Sequence, residues 1–285
     1  MGVELLLDPE LAELAAACSA AAGVDLARLL TTAEDRELTL THNAQPALLF
    51  TGVALCRLLA RRGITPAAAA GHSVGEYTAL CVAGAVSPER AVKAVVERGR
   101  AMGEAAPPGT TSMTAVLGLG PEALCDTLRD LAEVWPANFN TPTQTVIGGT
   151  VGGLERARDE LQRAGARRQV PLNVAAAFHT PLMEPAAASL RGTLQAAGWR
   201  EPAMPVVANL SAEPYRDAGE IPGSLVRQLS SPVRWSDCVQ RLLELGCGAF
   251  YEVGPGRALT GMMRELAPAA PATALSSPEA VERLE

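Results

Sequence analysis

The stretch Gly71-His72-Ser73-Val74-Gly75-Glu76-Tyr77 decides how the rest of the sequence is interpreted. The apolar run 64–70 before it predicts a buried strand, and the small and apolar residues 77–85 after it predict a buried helix. A Gly-x-Ser-x-Gly motif between strand and helix is typical of a turn that lifts a serine hydroxyl out of a sheet. Taken alone, the motif leaves open a glycine-bounded turn with an incidental serine.

The glycines and the helix after the motif favour a nucleophile. We expect a side chain at either glycine, Gly71 or Gly75, to collide where the turn is tightest. The N-terminus of the predicted helix would direct free N–H groups at an oxyanion that forms beside Ser73. Ser73 is therefore the candidate nucleophile.

The composition limits the classes of protein to which this chain can belong. The chain has 285 residues, of which 48 % are apolar and 19 % charged, enough for one large domain with an inserted smaller one. The net charge of −7 argues against general affinity for nucleic acid. The six cysteines are scattered without a C-x-x-C, which predicts buried thiols in a reducing cytoplasm and no metal site or disulfide framework. The sequence shows neither a signal peptide nor a membrane span, and we expect a cytoplasmic monomer.

The order of predicted elements indicates an α/β protein with two parts. Strands and helices alternate in a pattern that favours a mostly parallel sheet, and helices are predicted at 47–62, after the Gln45-Pro46 pair, and at 88–105. Between them and the C-terminal part, the order changes to β-α-β-β-α-β, the order of a ferredoxin-like unit. Its predicted strands and helices are 111–117, 121–133, 134–140, 144–149, 154–164 and 167–174. We expect an α/β-hydrolase-like large subdomain of residues 1–108 and 175–285, with a ferredoxin-like small subdomain of residues 109–174 inserted in it.

The base that would activate Ser73 must be one of three histidines, if it is a histidine at all. His179 interrupts an apolar stretch where the chain re-enters the large subdomain, and it is the favoured base over a structural histidine. His72 adjoins the serine, but neighbours on a strand point to opposite faces, so it is a poor direct base. His42 lies in a polar segment, where we predict a loop and a surface role.

Two further observations concern the third member of a catalytic triad and the binding of a carboxylate. No aspartate stands out as the third member of a triad, and a histidine oriented by a backbone carbonyl would need none. Arg98 offers a planar fork suited to a carboxylate. Its alternative is a solvated helix arginine paired with a nearby glutamate, and the residue types alone favour that alternative.

Five segments in one order closely resemble the malonyl-CoA:acyl-carrier-protein transacylases of fatty-acid and polyketide synthesis. The resemblance runs from about residue 9 to the C-terminus, and the combination of motifs is highly specific. The segments are Gly71-His72-Ser73-Val74-Gly75-Glu76-Tyr77, Glu97-Arg98-Gly99, Asn138-Phe139-Asn140, Phe178-His179 and Tyr251-Glu252-Val253-Gly254-Pro255-Gly256.

This resemblance implies a function and assigns roles to residues. Ser73 would be acylated by malonyl-CoA with His179 as base, and the malonyl group would pass to the phosphopantetheine thiol of an acyl carrier protein. The backbone carbonyl of Gln228 would orient His179, and Arg98 would pair with the malonyl carboxylate. The coenzyme A thioester would be a substrate, with no bound cofactor or metal. Further residues would line the site: His72, Asn138 and Asn140.

One departure from the family pattern leaves alternatives open. The family begins with a strand and a Gly-Gln-Gly-Ser-Gln loop that supplies half of the oxyanion hole, and this sequence starts just beyond that loop. Either the true start lies upstream, or one oxyanion donor and one strand are lost; the Val74 N–H would remain, and loss of one such donor costs about 100- to 1000-fold in rate. The missing loop leaves open a catalytically weak protein that docks the carrier. The shared turn leaves open a serine acyl hydrolase or thioesterase.

Two positions predict the preferred acyl group. By the resemblance, a branched aliphatic residue at Val74 and a phenyl ring at Phe178 go with malonyl rather than methylmalonyl. We expect Phe178→Ser to narrow this preference, because it opens volume beside His179, within the limit of about 1–3 kcal/mol that one methyl group provides. The measurement is a competition between both thioesters at equal concentration, scored on the acylated carrier. An unchanged ratio of malonyl to methylmalonyl transfer would show that other residues of the pocket select the acyl group.

Overall fold

The computed structural model of the protein describes residues 2–284. Short 3-10 helices cover Val3–Leu7 and Pro181–Met183. The α-helices are α1 (Pro9–Ala22), α2 (Leu26–Thr31), α3 (Asp35–Leu38), α4 (Thr41–Arg61), α5 (Gly75–Val82), α6 (Pro88–Glu104), α7 (Pro121–Leu128), α8 (Val151–Arg163), α9 (Glu184–Ala196), α10 (Glu220–Gln228), α11 (Trp235–Glu244), α12 (Ala258–Leu266) and α13 (Pro278–Glu282). The strands are β1 (Ala69–Ala70), β2 (Thr111–Leu117), β3 (Val134–Thr141), β4 (Gln144–Thr150), β5 (Arg168–Pro171), β6 (Val206–Val207), β7 (Phe250–Val253) and β8 (Ala272–Leu275).

The parallel strands form two separate pairs. β1 pairs with β6, and β7 pairs with β8. The strand predicted over 64–70 shrinks to the two residues of β1. Pro66 has no N–H to donate to a ladder, and alanine has a low strand propensity, so residues 64–68 run as irregular chain into the sheet.

Four antiparallel strands form a third sheet in the order β3-β4-β2-β5. In chain order its elements are β2, α7, β3, β4, α8 and β5, the order that the sequence predicts. Three boundaries differ by three residues or more: α7 ends at Leu128 rather than 133, α8 begins at Val151 rather than 154, and β5 ends at Pro171 rather than 174. The Thr150 side chain accepts a hydrogen bond from the Gly153 N–H and so starts α8 earlier.

The backbone of β3 is tied directly to the segment before α11. The Phe139 N–H donates to the Val233 carbonyl at 2.9 Å, and the Val233 N–H donates to the Ala137 carbonyl at 2.9 Å. β3 carries register shifts on both sides of this contact. Bulged strands bend, which lets β3 turn from its own sheet toward the rest of the molecule.

Helices α4 and α6 pack against each other through the main apolar core. The predicted start of α6 is confirmed, because the Ser87 side chain caps it and Pro88 occupies its first turn. The predicted start of α4 is wrong: the helix begins at Thr41 and continues through Pro46. His42 therefore lies in the first turn of a helix, half-buried, and not in a loop.

Several elements are absent from the sequence prediction. They are the 3-10 helix at Val3–Leu7 and the elements α3, α10, β8 and α13. Helix α10 contains Pro222 and Gly223, both of which disfavour a helix, so its sequence reads as a loop. Its buried face explains why it forms: Ile221 and Leu225 are both fully buried in the main core.

The cysteine side chains are all buried or half-buried. All six thiols are free, three of them buried (Cys18, Cys81 and Cys238) and three half-buried (Cys56, Cys125 and Cys247). Burial raises the pKa of the Cys81 thiol to about 12, so it behaves as a small apolar side chain. Across residues 2–284, no helix is both long and apolar enough to cross a membrane.

The two glycines of the motif differ in a way that the sequence does not predict. A Cβ on Gly71 would lie 2.0 Å from the carbonyl carbon of Gly75, whereas a Cβ on Gly75 would meet nothing within 4 Å. The expectation of a collision is therefore correct for Gly71 and wrong for Gly75. Only Gly71 is in close contact: the backbone of the first residues of α5 lies against it.

We expect Gly71→Ala to lower the free energy of unfolding by roughly 3 kcal/mol or more, because backbone must move to admit the methyl group. Gly75→Ala is the matched control and should stay within about 1 kcal/mol of wild type, since alanine favours the helix that begins there. Urea unfolding of both variants measures the difference. Equal stability of the two would contradict the one-sided contact.

Candidate active site

The turn that carries Ser73 lies between β1 and α5, where the sequence predicts it. Ser73 has a φ of 54°, a left-handed conformation that residues other than glycine rarely adopt. The Asn209 side chain holds it there: its Oδ1 accepts from the Ser73 N–H at 2.7 Å, and its Nδ2 donates to the Gly71 carbonyl at 2.8 Å. Such a conformation persists only where the surroundings hold it. Asn209 therefore fixes the position of the serine.

The side chain of His179 contacts the serine hydroxyl. Its Nε2 lies 2.7 Å from Ser73 Oγ, and its Nδ1 lies 2.8 Å from the carbonyl oxygen of Gln228. A carbonyl can only accept, so Nδ1 carries the proton and Nε2 accepts from the hydroxyl. The structure thus brings together three of the residues singled out from the sequence, with a carbonyl in the place of a triad acid.

The environment of His179 favours its neutral form. The pKa of His179 is lowered to about 3, mainly by burial and then by the nearby Arg98 charge, with a smaller effect of His72 in the same direction, while the hydrogen bond to the Gln228 carbonyl opposes them. A neutral imidazole with a free Nε2 lone pair is the form that accepts a proton. The surroundings of His179 therefore favour a neutral imidazole, which can act as a base, over an imidazolium cation.

Arg98 reaches the same serine from α6. Its side chain is 1 % exposed, so the alternative of a solvated helix arginine is wrong. Nη1 donates to Gln45 Oε1 at 2.8 Å, while Nη2 donates to Ser73 Oγ at 2.9 Å and to Gln228 Oε1 at 3.0 Å. The Tyr77 ring lies beside it, with its centroid 5.7 Å from Cζ. A buried cation therefore lies against the candidate nucleophile with neutral hydrogen-bond partners.

Glu76 is a second buried charged residue next to the turn. Its carboxylate is fully buried and accepts from the Tyr215 hydroxyl, from the Asn209 N–H at 3.0 Å and from Gln228 Nε2 at 2.7 Å. Burial raises the pKa of Glu76, and these three hydrogen bonds and the Arg98 charge oppose the rise. Glu76 thus joins the residues that hold Ser73 to those that hold His179 and Arg98.

His72 faces a different set of partners from Ser73. Its Nε2 lies 3.0 Å from Asn140 Oδ1, and its ring lies 5.6 Å from the Trp235 ring. Asn140 Nδ2 in turn donates to Gln144 Oε1 at 3.0 Å. Burial lowers the pKa of His72. His72 makes no hydrogen bond to the Ser73 hydroxyl among the described residues, in agreement with the sequence argument that it is a poor direct base.

A large cavity of about 1350 Å³ opens beside the turn. His72, Val74, Asn138 and Asn140 line it, which places four predicted residues at its wall. Ser73 is half-buried, and neither it nor its partners His179 and Arg98 are among the lining residues. The residues on both sides of Ser73 in sequence, His72 and Val74, therefore place the turn at the edge of the cavity.

The remaining predicted residues are Val74 and Phe178. Val74 immediately precedes α5, and within the described residues its N–H donates no hydrogen bond, so it is free to bind an oxyanion. Phe178 is half-buried and packs against both the main core and the apolar cluster of the antiparallel sheet. It does not line the large cavity, so its proposed gating of the acyl group stays a prediction.

Sequence reasoning missed four members of this site: Gln45, Glu76, Asn209 and Tyr215. Two of them carry a recognisable signal. Glu76 is a charged residue at the start of an otherwise apolar helix, and Asn209 is the polar residue that follows the apolar strand β6. Polar groups in such settings need buried partners, which marks them as members of a network. In the described part of the chain, no group of three His, Cys, Asp or Glu side chains could hold a metal ion.

Comparison with known proteins gives consistent results. Residues 1–282 match the family described as the acyl transferase domain. The chain is 41 % identical over 261 residues to a malonyl CoA-acyl carrier protein transacylase of Bacillus subtilis, covering 90 % of this chain and 82 % of that protein. A solved acyl carrier protein S-malonyltransferase from Vibrio cholerae has a TM-score of 0.95 at 35 % identity, covering 100 % of this chain and 96 % of the other. A further structure holds a type II PKS acyl-carrier protein in complex with its malonyl-transacylase (TM-score 0.93, 37 % identity, 98 % and 92 % covered).

The lowered pKa of His179 predicts a titration that NMR can follow, because the chain has only three histidines. We expect the His179 ring to stay neutral from pH 8 to pH 5, since burial and Arg98 disfavour the imidazolium. The unfolded chain binds this proton near pH 6.5, so the site's contribution to stability falls as the pH drops from about 6.5 toward 3. His179→Gln assigns the resonance. A His179 midpoint near 6.5 would contradict the electrostatic description.

Proposed function

The chain belongs to the acyl transferase domain family, and we infer from this membership that it transfers a malonyl group from malonyl-CoA to acyl carrier protein. Its relatives of about 40 % identity over most of the chain are named for this reaction, and one solved relative is in complex with an acyl-carrier protein. The protein is an acyltransferase. The steps below assign the reaction to the residues of this chain.

In the first half-reaction, Ser73 attacks the thioester. His179 Nε2 takes the hydroxyl proton as Oγ forms a bond to the carbonyl carbon, and a tetrahedral oxyanion results. The oxyanion collapses, the carbon–sulfur bond breaks, and the coenzyme A sulfur leaves with the proton from His179. The 2.7 Å contact between Oγ and Nε2, with Nδ1 held by the Gln228 carbonyl, is the observation that carries this assignment.

The Val74 N–H stabilises the oxyanion. It precedes the first turn of α5, whose N-terminal end carries partial positive charge. Because Val74 follows Ser73 directly, this donor lies next to the reacting carbon in any acylated state. Its lack of a hydrogen-bond partner among residues 2–284 supports the role.

Arg98 binds the free carboxylate of the malonyl group. Its contact with Ser73 Oγ at 2.9 Å places the guanidinium beside the group that becomes acylated. Three hydrogen bonds use three of its five N–H groups, and no described residue accepts from its Nε. The planar fork suits a carboxylate, which would take the place of one of the two partners of Nη2, and this makes Arg98 the selecting residue for a malonyl over an acetyl thioester.

In the second half-reaction, the phosphopantetheine thiol of the carrier attacks the Ser73 ester. His179 takes the thiol proton and returns it to Ser73 Oγ as the ester bond breaks. The two half-reactions share one base, so transfer is ping-pong. His72, Asn138 and Asn140 line the cavity that leads to the turn, which supports a role in receiving the pantetheine arm.

We also propose the finer description of the fold. The strand order β3-β4-β2-β5, with α7 and α8 connecting β2 to β3 and β4 to β5, supports a ferredoxin-like insert of residues 109–174. The turn between a parallel strand and a helix supports a hydrolase-like large subdomain of residues 1–108 and 175–285. A cytoplasmic location, a monomeric state and the absence of a bound cofactor stay predictions.

Acylation by malonyl-CoA tests the proposal and separates it from a serine hydrolase. We expect intact mass spectrometry to find one malonyl adduct on the peptide containing Ser73, and Ser73→Ala to lose it. In a single turnover, the malonyl group should appear on acyl carrier protein faster than as free malonate. An undiminished adduct in Ser73→Ala would remove this residue from the mechanism. Release mainly as malonate would favour the acyl hydrolase.

A further inference from the structure

The carboxylate of Glu76 has three hydrogen-bond partners, two of which can only donate. Oε2 accepts from the Asn209 N–H and from Gln228 Nε2, and Oε1 accepts from the Tyr215 hydroxyl. Asn209 and Gln228 each present an N–H, which cannot accept in return. Hydrogen bonds of this kind, with the Arg98 cation nearby, favour the charged form of this fully buried side chain.

The side-chain amide of Gln228 separates this carboxylate from the buried arginine. Its Oε1 accepts from Arg98 Nη2 at 3.0 Å, and its Nε2 donates to Glu76 at 2.7 Å and to the Ser73 carbonyl at 3.1 Å. The two charges are thus one amide apart rather than in contact. No ion pair joins Arg98 to a carboxylate anywhere in residues 2–284.

This spacing has an electrostatic consequence. A buried cation without a counter-charge is costly, and a carboxylate bound directly would occupy the fork that the substrate needs. One amide of separation keeps most of the attraction in a medium of low dielectric constant while it leaves N–H groups of Arg98 free. The arrangement balances the charge of Arg98 before an acyl group is bound.

We propose that Glu76 is a charge-balancing positioning residue, which acts through Gln228 to hold Arg98 in place and to weaken its grip on the malonyl carboxylate. The proposal rests on the role of Arg98 under the proposed function. With Glu76 ionised, a bound malonyl carboxylate brings two negative charges to one guanidinium. Arg98 therefore binds the malonyl carboxylate less tightly than it would without the negative charge of Glu76. Weaker binding of the acyl group favours its transfer to the carrier.

Glu76→Gln removes the charge and can retain the hydrogen bonds. The amide oxygen can replace Oε2 as acceptor for Asn209 and Gln228, and the amide nitrogen can donate to the Tyr215 oxygen. Binding is measured by calorimetry in a Ser73→Ala background, which prevents acylation, with malonyl-CoA and with acetyl-CoA. We expect malonyl-CoA to bind on the order of tenfold more tightly after Glu76→Gln, the effect of one charge at an effective dielectric constant of about 20. Acetyl-CoA affinity should not change.

Glu97→Gln is the matched control. It removes one carboxylate from the residue adjacent to Arg98 in sequence, but Glu97 is only half-buried and its carboxylate pairs with Arg100. It should leave the ratio of malonyl-CoA to acetyl-CoA affinity unchanged. If Glu76→Gln weakens both thioesters together, or leaves the ratio at the wild-type value, Glu76 has only a structural role and the proposal is wrong.

Arg98→Ala separates a failure of this proposal from a failure of the proposed function. If Arg98 binds the carboxylate, Arg98→Ala loses the malonyl-CoA preference, and adding Glu76→Gln should then change the ratio no further. A preference that survives Arg98→Ala contradicts the role of Arg98 itself. A preference lost in Arg98→Ala but unchanged in Glu76→Gln contradicts Glu76 alone.

One measurement does not depend on whether Glu76→Gln folds. The carboxyl carbon of Glu76, labelled with carbon-13 in the wild-type protein, reports its ionisation by chemical shift. We expect the shift of an ionised carboxylate at pH 7.5, and Glu76→Asp should keep the wild-type affinity ratio because it keeps the charge. A protonated Glu76 at pH 7.5 would overturn the proposal.

Discussion

The site depends on Gln228, the last residue of α10. A helix leaves its final carbonyls without partners inside the helix, and the carbonyl of Gln228 uses this to accept from His179 Nδ1 at 2.8 Å. Its side chain accepts from Arg98 and donates to Glu76. Main chain and side chain of one residue thus set the tautomer of the base and the position of the cation. A change that displaced α10 would disturb both at once.

The backbone is strained at both Ser73 and His179, whose side chains are in contact. Both residues have positive φ, 54° and 59°, and neither is glycine. Conformations of this kind cost on the order of 1–3 kcal/mol each, which the surrounding hydrogen bonds and core must offset. The result is a hydroxyl and an imidazole that are already in contact before substrate binds. Such preorganisation reduces the rearrangement needed during reaction.

The sequence predicts the elements with clear periodicity or caps, and it fails where tertiary packing overrides local preference. β2 has its predicted bounds, because apolar spacing and the glycines near both of its ends mark it. The sequence does not predict α10, because Pro222 and Gly223 disfavour a helix; the buried face of α10 explains why it forms. In the site, motifs single out Ser73, Arg98 and His179. Local patterns mark Glu76 and Asn209 as polar residues that need buried partners, but no local pattern shows which distant segments supply those partners.

The link between β3 and the segment at Val233 consists of main-chain hydrogen bonds alone. Main-chain bonds do not depend on the identity of the side chains at 137, 139 and 233, although Ala137 and Val233 are fully buried and so limited in size. The antiparallel sheet can therefore keep Asn138 and Asn140 at a constant position in the cavity wall while the exposed side chains of the same sheet change.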